Sequence, residues 1–362
     1  MGLDDRYWDP IGDCEAAAVL GEPVRITASH RRWLFAVARC LTGTGEVMLK
    51  RQPPMGRRSD QLEWQHRLTN HVADSGVPAA RALGITELAG FWYETFEVAA
   101  GADRYAGTDS WEPFATLADA HAAGATLARL HAAADGFEPR RAQPQAGFVV
   151  QLGMVPRGAE SAVEKLCRLR PAVADHLAHR EWRAAVAAAY DEPFSRLESV
   201  LHTLPESPLH GDWQTNNLFF DEHGVSGVID FHQADFGPRI LDLAVAVERN
   251  CFFWNRLSAG ERGAYDLEHA AALTAGYESA TPLQPAERAA FADVLGCCQF
   301  EYGISFLDYY WGVERDREKA DWAWDTFVLG HARWWQGGEG REVRAEIERM
   351  IGAGGRPAPT EC

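Results

Sequence analysis

The sequence predicts a bilobal α+β protein, in which a small antiparallel sheet with one helix precedes a larger, mostly helical lobe. Two observations support this fold class. Short runs of β-branched and aromatic residues, separated by turns, fill most of the first hundred positions. Apolar residues at helical spacing dominate the rest of the 362-residue chain, which is long enough for two lobes with a sizeable core. We expect the N-terminal lobe at 1–98, the helical lobe at 99–351 and a disordered, Gly- and Pro-rich tail at 352–362.

The N-terminal lobe is expected to follow the order strands, one helix, strands. Turns rich in Gly or polar residues separate the apolar runs. Ser59 and Asp60 can cap a helix that runs to about residue 73. A further helix is expected within residues 1–22, before the sheet. The strands are expected at 24–27, 33–37, 46–50, 82–88 and 91–98.

The C-terminal lobe is predicted from apolar residues at helical spacing. Leu117, Leu127 and Leu130 share one face of a helix predicted over 116–134. The segment 135–158 contains Gly, Pro and Gln and is expected to be a loop. Further helices are expected within 160–204 and at 240–250, 262–278, 285–310 and 317–336.

Composition restricts the classes of function. The chain carries 35 Lys and Arg against 52 Asp and Glu, a formal charge of −17. This balance disfavours nucleic acid and anionic membrane surfaces as partners and suits a cationic small molecule. No apolar run approaches the roughly 20 residues of a membrane span, and the acidic N-terminus lacks a signal-peptide pattern. Seven cysteines without metal-type spacing are expected to be free thiols, so we predict a cytoplasmic protein.

The segment 210–217 and the aspartate that follows it carry the strongest chemical signal. Asp212 is followed by Asn217 and then by Asp230, and a hairpin predicted within 218–229 lies between them. Phosphoryl transfer from ATP needs a carboxylate that orients the attacking hydroxyl, together with oxygen ligands that hold Mg²⁺ against the phosphates. Turn formation is the simpler explanation for Asp and Asn in a loop. The flanking His-Gly and Val-Ile-Asp-Phe sequences make the chemical interpretation the better one.

This combination of motifs resembles the aminoglycoside phosphotransferases and related small-molecule kinases, which share the protein-kinase-like fold. The resemblance spans roughly residues 24–280, and the segment after Asp230 is more similar to the branch that contains bacterial homoserine kinases. The compound pattern is specific, whereas each piece alone would be weak. The matching segments are Leu127 to His131, Leu209 to Asp212 with Asn217, Gly227 to Phe231, Gly237 to Arg239 and Asp242 to Ala244.

The resemblance implies a role for each matching residue. Asp212 would be the catalytic carboxylate, and Asn217 and Asp230 would bind Mg²⁺. Lys50 would reach the α- and β-phosphates of ATP from the third strand. Glu63 would pair with Lys50 from the helix and hold it in position.

The resemblance also implies a hinge for the nucleotide. Phe96, Glu97 and Val98 would form it, and their backbone groups would read the edge of adenine. The turn expected at 28–32 contains no glycine, so a Gly-rich phosphate loop cannot be identified. No activation segment of the protein-kinase type is visible, which disfavours a protein as the acceptor.

Several conspicuous residues have structural interpretations. His210 is expected to pack and hydrogen-bond in support of the catalytic loop. Asp242, near the start of a predicted helix, is expected to accept backbone N–H bonds beneath that loop. The simpler interpretations of Lys50 and Glu63 are a surface strand lysine and a solvated helix glutamate.

Four acidic residues are candidates for contact with the acceptor: Asp235, Glu301, Asp308 and Asp325. Asp235 follows the metal aspartate closely, and it either contacts the acceptor or caps a turn. The other three lie among aromatic residues of the C-terminal helices, where rings at helical spacing usually form core. In the functional alternative, the carboxylates pair with amino groups and the rings bind a sugar or a cation.

The expected activity is an ATP- and Mg²⁺-dependent kinase reaction on a hydroxyl of a small molecule. The first choice of acceptor is an amino-bearing natural product or aminoglycoside-type antibiotic, which would confer antibiotic resistance. A small amino alcohol or amino acid, such as choline or homoserine, is the alternative. A catalytically silent binding protein of the same fold is the third possibility, which the intact set of Lys50, Asp212, Asn217 and Asp230 disfavours.

Overall fold

A five-stranded antiparallel sheet forms the N-terminal lobe of the computed structural model, in the order β1-β2-β3-β5-β4. The structure describes residues 9–31, 35–52, 59–108, 110–138 and 158–352. A short helix precedes the sheet, and a longer helix connects its third and fourth strands. The elements are α1 (Asp13–Leu20), β1 (Arg25–Arg31), β2 (Ala36–Leu41), β3 (Glu46–Gln52), α2 (Ser59–Asp74), β4 (Ala82–Leu88) and β5 (Phe91–Glu97).

One face of the sheet packs on α1. Ala36, Ala38 and Cys40 alternate with more exposed residues along β2 and are almost fully buried. They join Ile11 and Ala16 in a small apolar cluster. Because successive side chains of a strand point to opposite faces, this alternation leaves the second face of the sheet for other contacts.

The helix α2 connects the sheet to the second lobe. Trp64, Leu68 and Val72 recur every four residues along α2 and belong to the large core of the helical lobe. On the sheet side, the Asn70 side chain makes two hydrogen bonds of 2.9 Å with the backbone of Ala82 in β4. The position of α2 is therefore determined by both lobes.

Helices and four short strands make up the second lobe. β6 pairs with β9 and β7 pairs with β8, both antiparallel. Turns of π-helical geometry follow α11 and α12, at Tyr310–Glu314 and Trp324–Gly330. The elements are α3 (Leu117–Ala133), α4 (Ala159–Leu169), α5 (Pro171–Leu177), α6 (Trp182–Val200), β6 (Glu206–Leu209), β7 (Leu218–Asp221), β8 (Gly224–Val228), β9 (Asp235–Pro238), α7 (Arg239–Cys251), α8 (Trp254–Leu257), α9 (Leu267–Ala280), α10 (Pro285–Cys297), α11 (Gln299–Tyr309), α12 (Arg317–Ala323), α13 (His331–Gln336) and α14 (Gly338–Gly352).

Two glycines allow α3 and α9 to approach closely. A Cβ at Gly124 would lie 1.9 Å from the carbonyl oxygen of Leu273, and one at Gly276 would lie 2.0 Å from that of His121. Any larger residue at either glycine would push the helices apart. Nearer the C-terminal end of α3, the same two helices are joined by His131, whose Nδ1 lies 2.8 Å from the hydroxyl oxygen of Tyr277.

The structure confirms the predicted fold class, a small antiparallel sheet followed by a mostly helical lobe, and the hairpin β7–β8. It corrects several element boundaries. β1 continues to Arg31 because each residue from 28 to 31 pairs with β2, so residues 28–31 form a strand rather than the expected turn. The helix expected over 285–310 is two helices, α10 and α11, and π-helical geometry interrupts the one expected over 317–336.

Some elements were not predicted, and some predictions lie outside the described residues. β6, β9 and α14 were missed because the two strands are only four residues long and α14 begins within the Gly-rich segment 337–340. The first residues of the N-terminal helix prediction, part of the 33–37 strand, most of the 135–158 loop and the 353–362 tail fall outside the described ranges. Within those ranges, no helix combines the length and the apolarity that crossing a membrane requires.

Candidate active site

The loop 210–217 lies between β6 and β7 and is anchored by one carboxylate of α7. Asp242 accepts the backbone N–H of His210 at 2.6 Å and that of Gly211 at 2.8 Å. His131 of α3 places its Nε2 3.1 Å from the same carboxylate. Burial raises the pKa of Asp242, but His131, His210 and the Gly211 N–H lower it more, so the pKa lies below its ordinary value. The expected structural role of Asp242 is confirmed.

A tight turn precedes Asp212. Gly211 has a φ of 80°, and a Cβ at this position would lie 2.4 Å from the carbonyl oxygen of Gln233. Glycine is therefore required both for the left-handed backbone and for the close approach. The Nε2 of His210 lies 3.0 Å from the carbonyl oxygen of Ile229. This contact holds the loop against the segment that ends at Asp230, and it confirms the structural role expected for His210.

Four donors converge on the carboxylate of Asp212, which is 5% exposed. Arg249 Nη2 lies 3.2 Å and the Tyr302 hydroxyl oxygen 3.1 Å from Oδ1. Gln214 Nε2 lies 2.8 Å and Asn217 Nδ2 3.1 Å from Oδ2. Protein groups rather than water therefore orient this carboxylate.

The Tyr302 hydroxyl has one hydrogen and more than one nearby acceptor. Its oxygen lies 2.7 Å from Gln233 Oε1, closer than it lies to Asp212. Burial raises the pKa of Tyr302 well above its ordinary value, and the Asp212 carboxylate raises it further, so the hydroxyl stays protonated. When its hydrogen points to Gln233, Asp212 Oδ1 keeps a lone pair that can accept a hydrogen bond from a substrate hydroxyl.

Two residues of α7 that the sequence analysis missed complete the loop. Arg249 donates to Gln214 Oε1 at 3.1 Å. Asn250 accepts the N–H of Thr215 at 2.9 Å and donates to the carbonyl of Trp213 at 3.0 Å. These residues follow the anchoring aspartate by seven and eight positions, two turns along one face of the helix. Polar residues at that spacing within an otherwise apolar helix were the available signal, because buried polar groups need partners.

The oxygen atoms near the nucleotide cleft fit Mg²⁺. Asn217 donates through Nδ2 to Asp212, at 2.8 Å to the backbone oxygen, which leaves its amide oxygen as the ligand atom. Asn217 and Asp230 line the same cleft. No cluster of three or more His, Cys, Asp or Glu side chains suited to a metal occurs in the described ranges. One amide and one carboxylate oxygen suit Mg²⁺, which usually takes its remaining ligands from phosphate and water.

Lys50 and Asp230 form an ion pair that joins β3 to the second lobe. Lys50 Nζ lies 2.6 Å from Asp230 Oδ1, and their side chains are 8% and 15% exposed. His232 Nδ1 lies 3.0 Å from the same oxygen, and the Phe35 ring centroid lies 4.0 Å from Lys50 Nζ. Burial raises the pKa of Asp230, but Lys50 and His232 lower it more, to well below its ordinary value. Asp230 is therefore ionised and its oxygens can serve as ligands.

The prediction that Glu63 pairs with Lys50 is wrong. Glu63 is exposed on α2, whereas Gln65 and His66 line the cleft. Gln65 donates to the carbonyl of His232 at 2.8 Å. Two positions along a helix correspond to a rotation of about 200°, so residue 63 cannot share a face with residue 65.

The cleft between the lobes contains part of the predicted hinge. Phe96 and Glu97 line the cleft at the end of β5, and Val98 follows them. The Glu97 N–H donates to the carbonyl of Arg81 at 2.9 Å, so this one backbone donor of the predicted hinge is not available to adenine. The roles of Phe96 and Val98 stay predictions. Among the other lining residues are His30, Val37, Met48, Thr69, Ala80, Asp103, Asn216 and Ile229.

The candidate acceptor residues differ in position. Asp235 is buried in β9, and its Oδ1 accepts the neighbouring N–H of Phe236 at 2.8 Å. Glu301 is buried in α11 directly before Tyr302, which reaches the catalytic carboxylate. Both therefore lie on elements that build the site, and their contact with the acceptor stays a prediction.

Arginines accompany the other acidic candidates. Burial lowers the pKa of Arg170, while Asp308 and Glu301 lie near enough to raise it. Burial raises the pKa of Asp308, and Arg170 lowers it. Asp325 is exposed and lies 3.1 Å from Arg180. These carboxylates already have cationic neighbours within the chain, which weakens the expectation that they bind amino groups of an acceptor.

Known proteins share this sequence pattern and fold. The sequence model described as the phosphotransferase enzyme family matches residues 25–283. Over 175 residues the chain is 35% identical to a homoserine kinase of Phenylobacterium zucineum (strain HLK1), with 48% of this chain and 47% of that protein covered. It thus spans about half the length of that relative. Over 265 residues it is 28% identical to a homoserine kinase of Janthinobacterium sp. (strain Marseille), with 72% of this chain and 73% of that protein covered.

The fold is also similar to that of a solved structure. The structure of an ethanolamine kinase of Plasmodium vivax superposes with a TM-score of 0.50 at 10% identity, over 82% of this chain and 78% of that one, which shows a shared fold.

Proposed function

The chain is a small-molecule kinase that belongs to the phosphotransferase enzyme family, and we propose that it transfers the γ-phosphoryl group of ATP to the hydroxyl of a small amino acid. The observation that carries the proposal is the buried Asp212 carboxylate, oriented by four donors and hydrogen-bonded to Asn217. Lys50 and Asp230 line the adjoining cleft with Asn217. The choice of acceptor rests on the relatives named homoserine kinase. We place the boundary between the lobes after residue 98, where β5 has ended.

In this proposal Asp212 aligns the acceptor hydroxyl and takes its proton as the new oxygen–phosphorus bond forms. The bond from the γ-phosphorus to the bridging oxygen breaks, and ADP leaves with that electron pair. The products are a phosphate monoester and ADP, and the proton passes from Asp212 to solvent. Positioning and electrostatic stabilisation supply most of the lowering of the barrier, so no covalent enzyme intermediate is required.

Asn217 and Asp230 would hold Mg²⁺ through oxygen atoms, and Lys50 would contact the phosphates. The ion, when bound, neutralises negative charge on the phosphate groups. Lys50 and Asp230 already lie in ion-pair contact, so both reach the same part of the cleft. The phosphate chain would therefore enter where β3 faces the end of β8.

Replacement of the catalytic carboxylate tests this proposal. Asp212→Asn should lower kcat by about 10²–10⁴, the range for loss of a general base. Binding of Mg-ATP should persist because Lys50 and Asp230 are unchanged. Coupled release of ADP with homoserine, choline, nucleosides and aminoglycosides as acceptors gives the turnover. Glu222→Gln, an exposed change in the β7–β8 turn, is the matched control. Near-normal turnover in Asp212→Asn would refute the assignment.

An aminoglycoside-type or amino-alcohol acceptor is the second candidate. The formal charge of −17 favours a cationic acceptor. The arginines beside Glu301, Asp308 and Asp325 count against these carboxylates as its binding groups. Growth of an expressing host on an antibiotic panel separates a resistance enzyme from a metabolic one. Absence of any stabilisation by Mg-ATP on heating would instead favour a silent binding protein.

A further inference from the structure

Hydrogen-bond donors outnumber acceptors on the side of Asp212 that faces α7 and α11. Arg249 is 6% exposed, and its guanidinium carbon lies 4.4 Å from the Trp111 ring centroid and 5.1 Å from that of Tyr302. Its Nη2 is shared among Asp212 Oδ1 at 3.2 Å, Gln214 Oε1 at 3.1 Å and a more distant serine hydroxyl. Nε and Nη1 are buried, and neither has a hydrogen-bond partner in the described ranges.

The ring that covers Arg249 adds another donor. The indole Nε1 of Trp111 is buried and has no partner within the part of the chain that the structure describes. Trp111 also has a φ of 65°, which a bulky residue adopts only where the surrounding structure holds it. The Arg249 guanidinium is a cation with only donor groups, so its unpaired N–H groups favour a negatively charged hydrogen-bond acceptor such as a carboxylate. Together these two side chains form a donor-only site beside the catalytic carboxylate.

We infer that Arg249 and Trp111 bind the carboxylate of the acceptor, so that the enzyme selects a small hydroxy acid whose hydroxyl faces Asp212. This inference rests on the proposed kinase function. Neither Arg249 nor Trp111 belongs to the lining of the nucleotide cleft, which contains Lys50 and Asp230. The donor-only site therefore lies on the acceptor side of Asp212.

Distance and charge restrict the acceptor further. Arg249 touches Asp212 directly, so a ligand that contacts both must carry its carboxylate and its hydroxyl only a few bonds apart. The chain has a formal charge of −17, so the carboxylate of an acceptor needs a local cation that offsets repulsion by the protein. An arginine held between two rings provides that cation, and its planar donor groups match a carboxylate.

A pair of acceptors that differ only in the carboxylate tests the inference. L-homoserine and 3-amino-1-propanol share the same hydroxyl, amine and chain. The wild-type protein should prefer L-homoserine, and Arg249→Gln should lower its kcat/KM about 10- to 100-fold more than that of the alcohol. Most of this difference should appear in KM. The comparison of two acceptors cancels any effect of the substitution on Asp212, which both acceptors share.

Two conservative variants test the same contacts with less risk of misfolding. Arg249→Lys keeps the charge but not the planar donor geometry, and it should give an intermediate loss of preference. Trp111→Phe keeps a ring over Arg249 and removes only the N–H, so the KM for L-homoserine should rise about 3- to 10-fold, as expected for one hydrogen bond. L-serine and ethanolamine form a second acceptor pair for the same measurement. Melting temperatures confirm that each variant is folded.

The outcomes separate the inference from the proposed function. Equal losses for both members of a pair would mean that Arg249 acts on Asp212 or on the transferred phosphoryl group, and would overturn the inference. Wild-type preference for acceptors without a carboxylate would overturn it as well, while the kinase assignment stands. No turnover of any acceptor, or full turnover by Asp212→Asn, would overturn the proposed function itself.

Discussion

The ion pair between Lys50 and Asp230 is the contact through which β3 of the N-terminal lobe reaches the end of β8. Lys50→Met and Asp230→Asn each remove one charge, and the double variant removes both. We expect each single variant to lower the free energy of unfolding. The double variant should be no less stable than the worse single variant.

The magnitude follows from the geometry of the pair. At a separation of 2.6 Å and an effective dielectric constant near 20, the attraction amounts to about 6 kcal/mol. Burial of the two ions costs several kcal/mol each, so the net contribution of the intact pair is much smaller. Removal of one partner leaves a buried charge and costs about 3–5 kcal/mol. His232 beside Asp230 and Phe35 beside Lys50 compensate part of this loss, which places the expected value near 3 kcal/mol.

Urea unfolding of the four proteins in the double-mutant cycle measures the coupling. We expect a coupling energy of about 2–3 kcal/mol, at the upper end for directly paired residues. Arg39 and Glu46 provide a matched control, because they also lie 2.6 Å apart but are 42% and 36% exposed. Arg39→Met should change the free energy of unfolding by less than about 1 kcal/mol. Additive effects of Lys50→Met and Asp230→Asn, within about 0.5 kcal/mol, would refute the reasoning.

Three further predictions concern the supports of the site. Asp242→Asn should lower the free energy of unfolding by about 2–4 kcal/mol because it weakens charged hydrogen bonds to two backbone N–H groups. The pKa of Asp242 is lowered in the folded state, so the full loss should appear at neutral pH and should shrink only as the pH falls below about 4. Urea unfolding at several pH values measures this loss. Gly211→Ala should lower the melting temperature far more than Gly260→Ala, because both have positive φ but only the first meets a neighbour, the Gln233 carbonyl; equal effects would contradict this. Glu63→Gln should leave the Mg-ATP affinity and the KM for ATP unchanged. A tenfold rise in the KM for ATP would instead support the pairing of Glu63 with Lys50.

Local patterns in the sequence located the candidate catalytic loop, and the roles of its residues stay predictions. Asp212, Asn217 and Asp230 lie within a short segment, and turn and hairpin signals define the backbone between them. The order strands, one helix, strands in the first lobe followed from short apolar runs separated by turns, a local pattern that can be recognised before the pairing partners are known. The end of β1 was misjudged because pairing with β2 keeps polar residues in an extended conformation.

Helical phase was harder to predict. Several residues of α2 could face the cleft, and the sequence did not show that Gln65 rather than Glu63 does so. The phase depends on Trp64 and Leu68, which enter the core of the second lobe. A helix that packs on two lobes has two candidate buried faces, and only the assembled structure shows which residues lie between them.

The sequence by itself predicted the type of chemistry. The spacing of Asp212, Asn217 and Asp230 predicts a catalytic carboxylate and the oxygen ligands of a metal, because these residues lie on one short loop and its hairpin. The tertiary structure decided which distant residues act on them. Lys50 meets Asp230 across 180 positions, and Arg249 and Tyr302 reach Asp212 from helices further along the chain. Short-range periodicity in the sequence indicates which face of a helix or strand is buried, but not which other element packs on that face. The proposed acceptor site depends on this packing between distant elements.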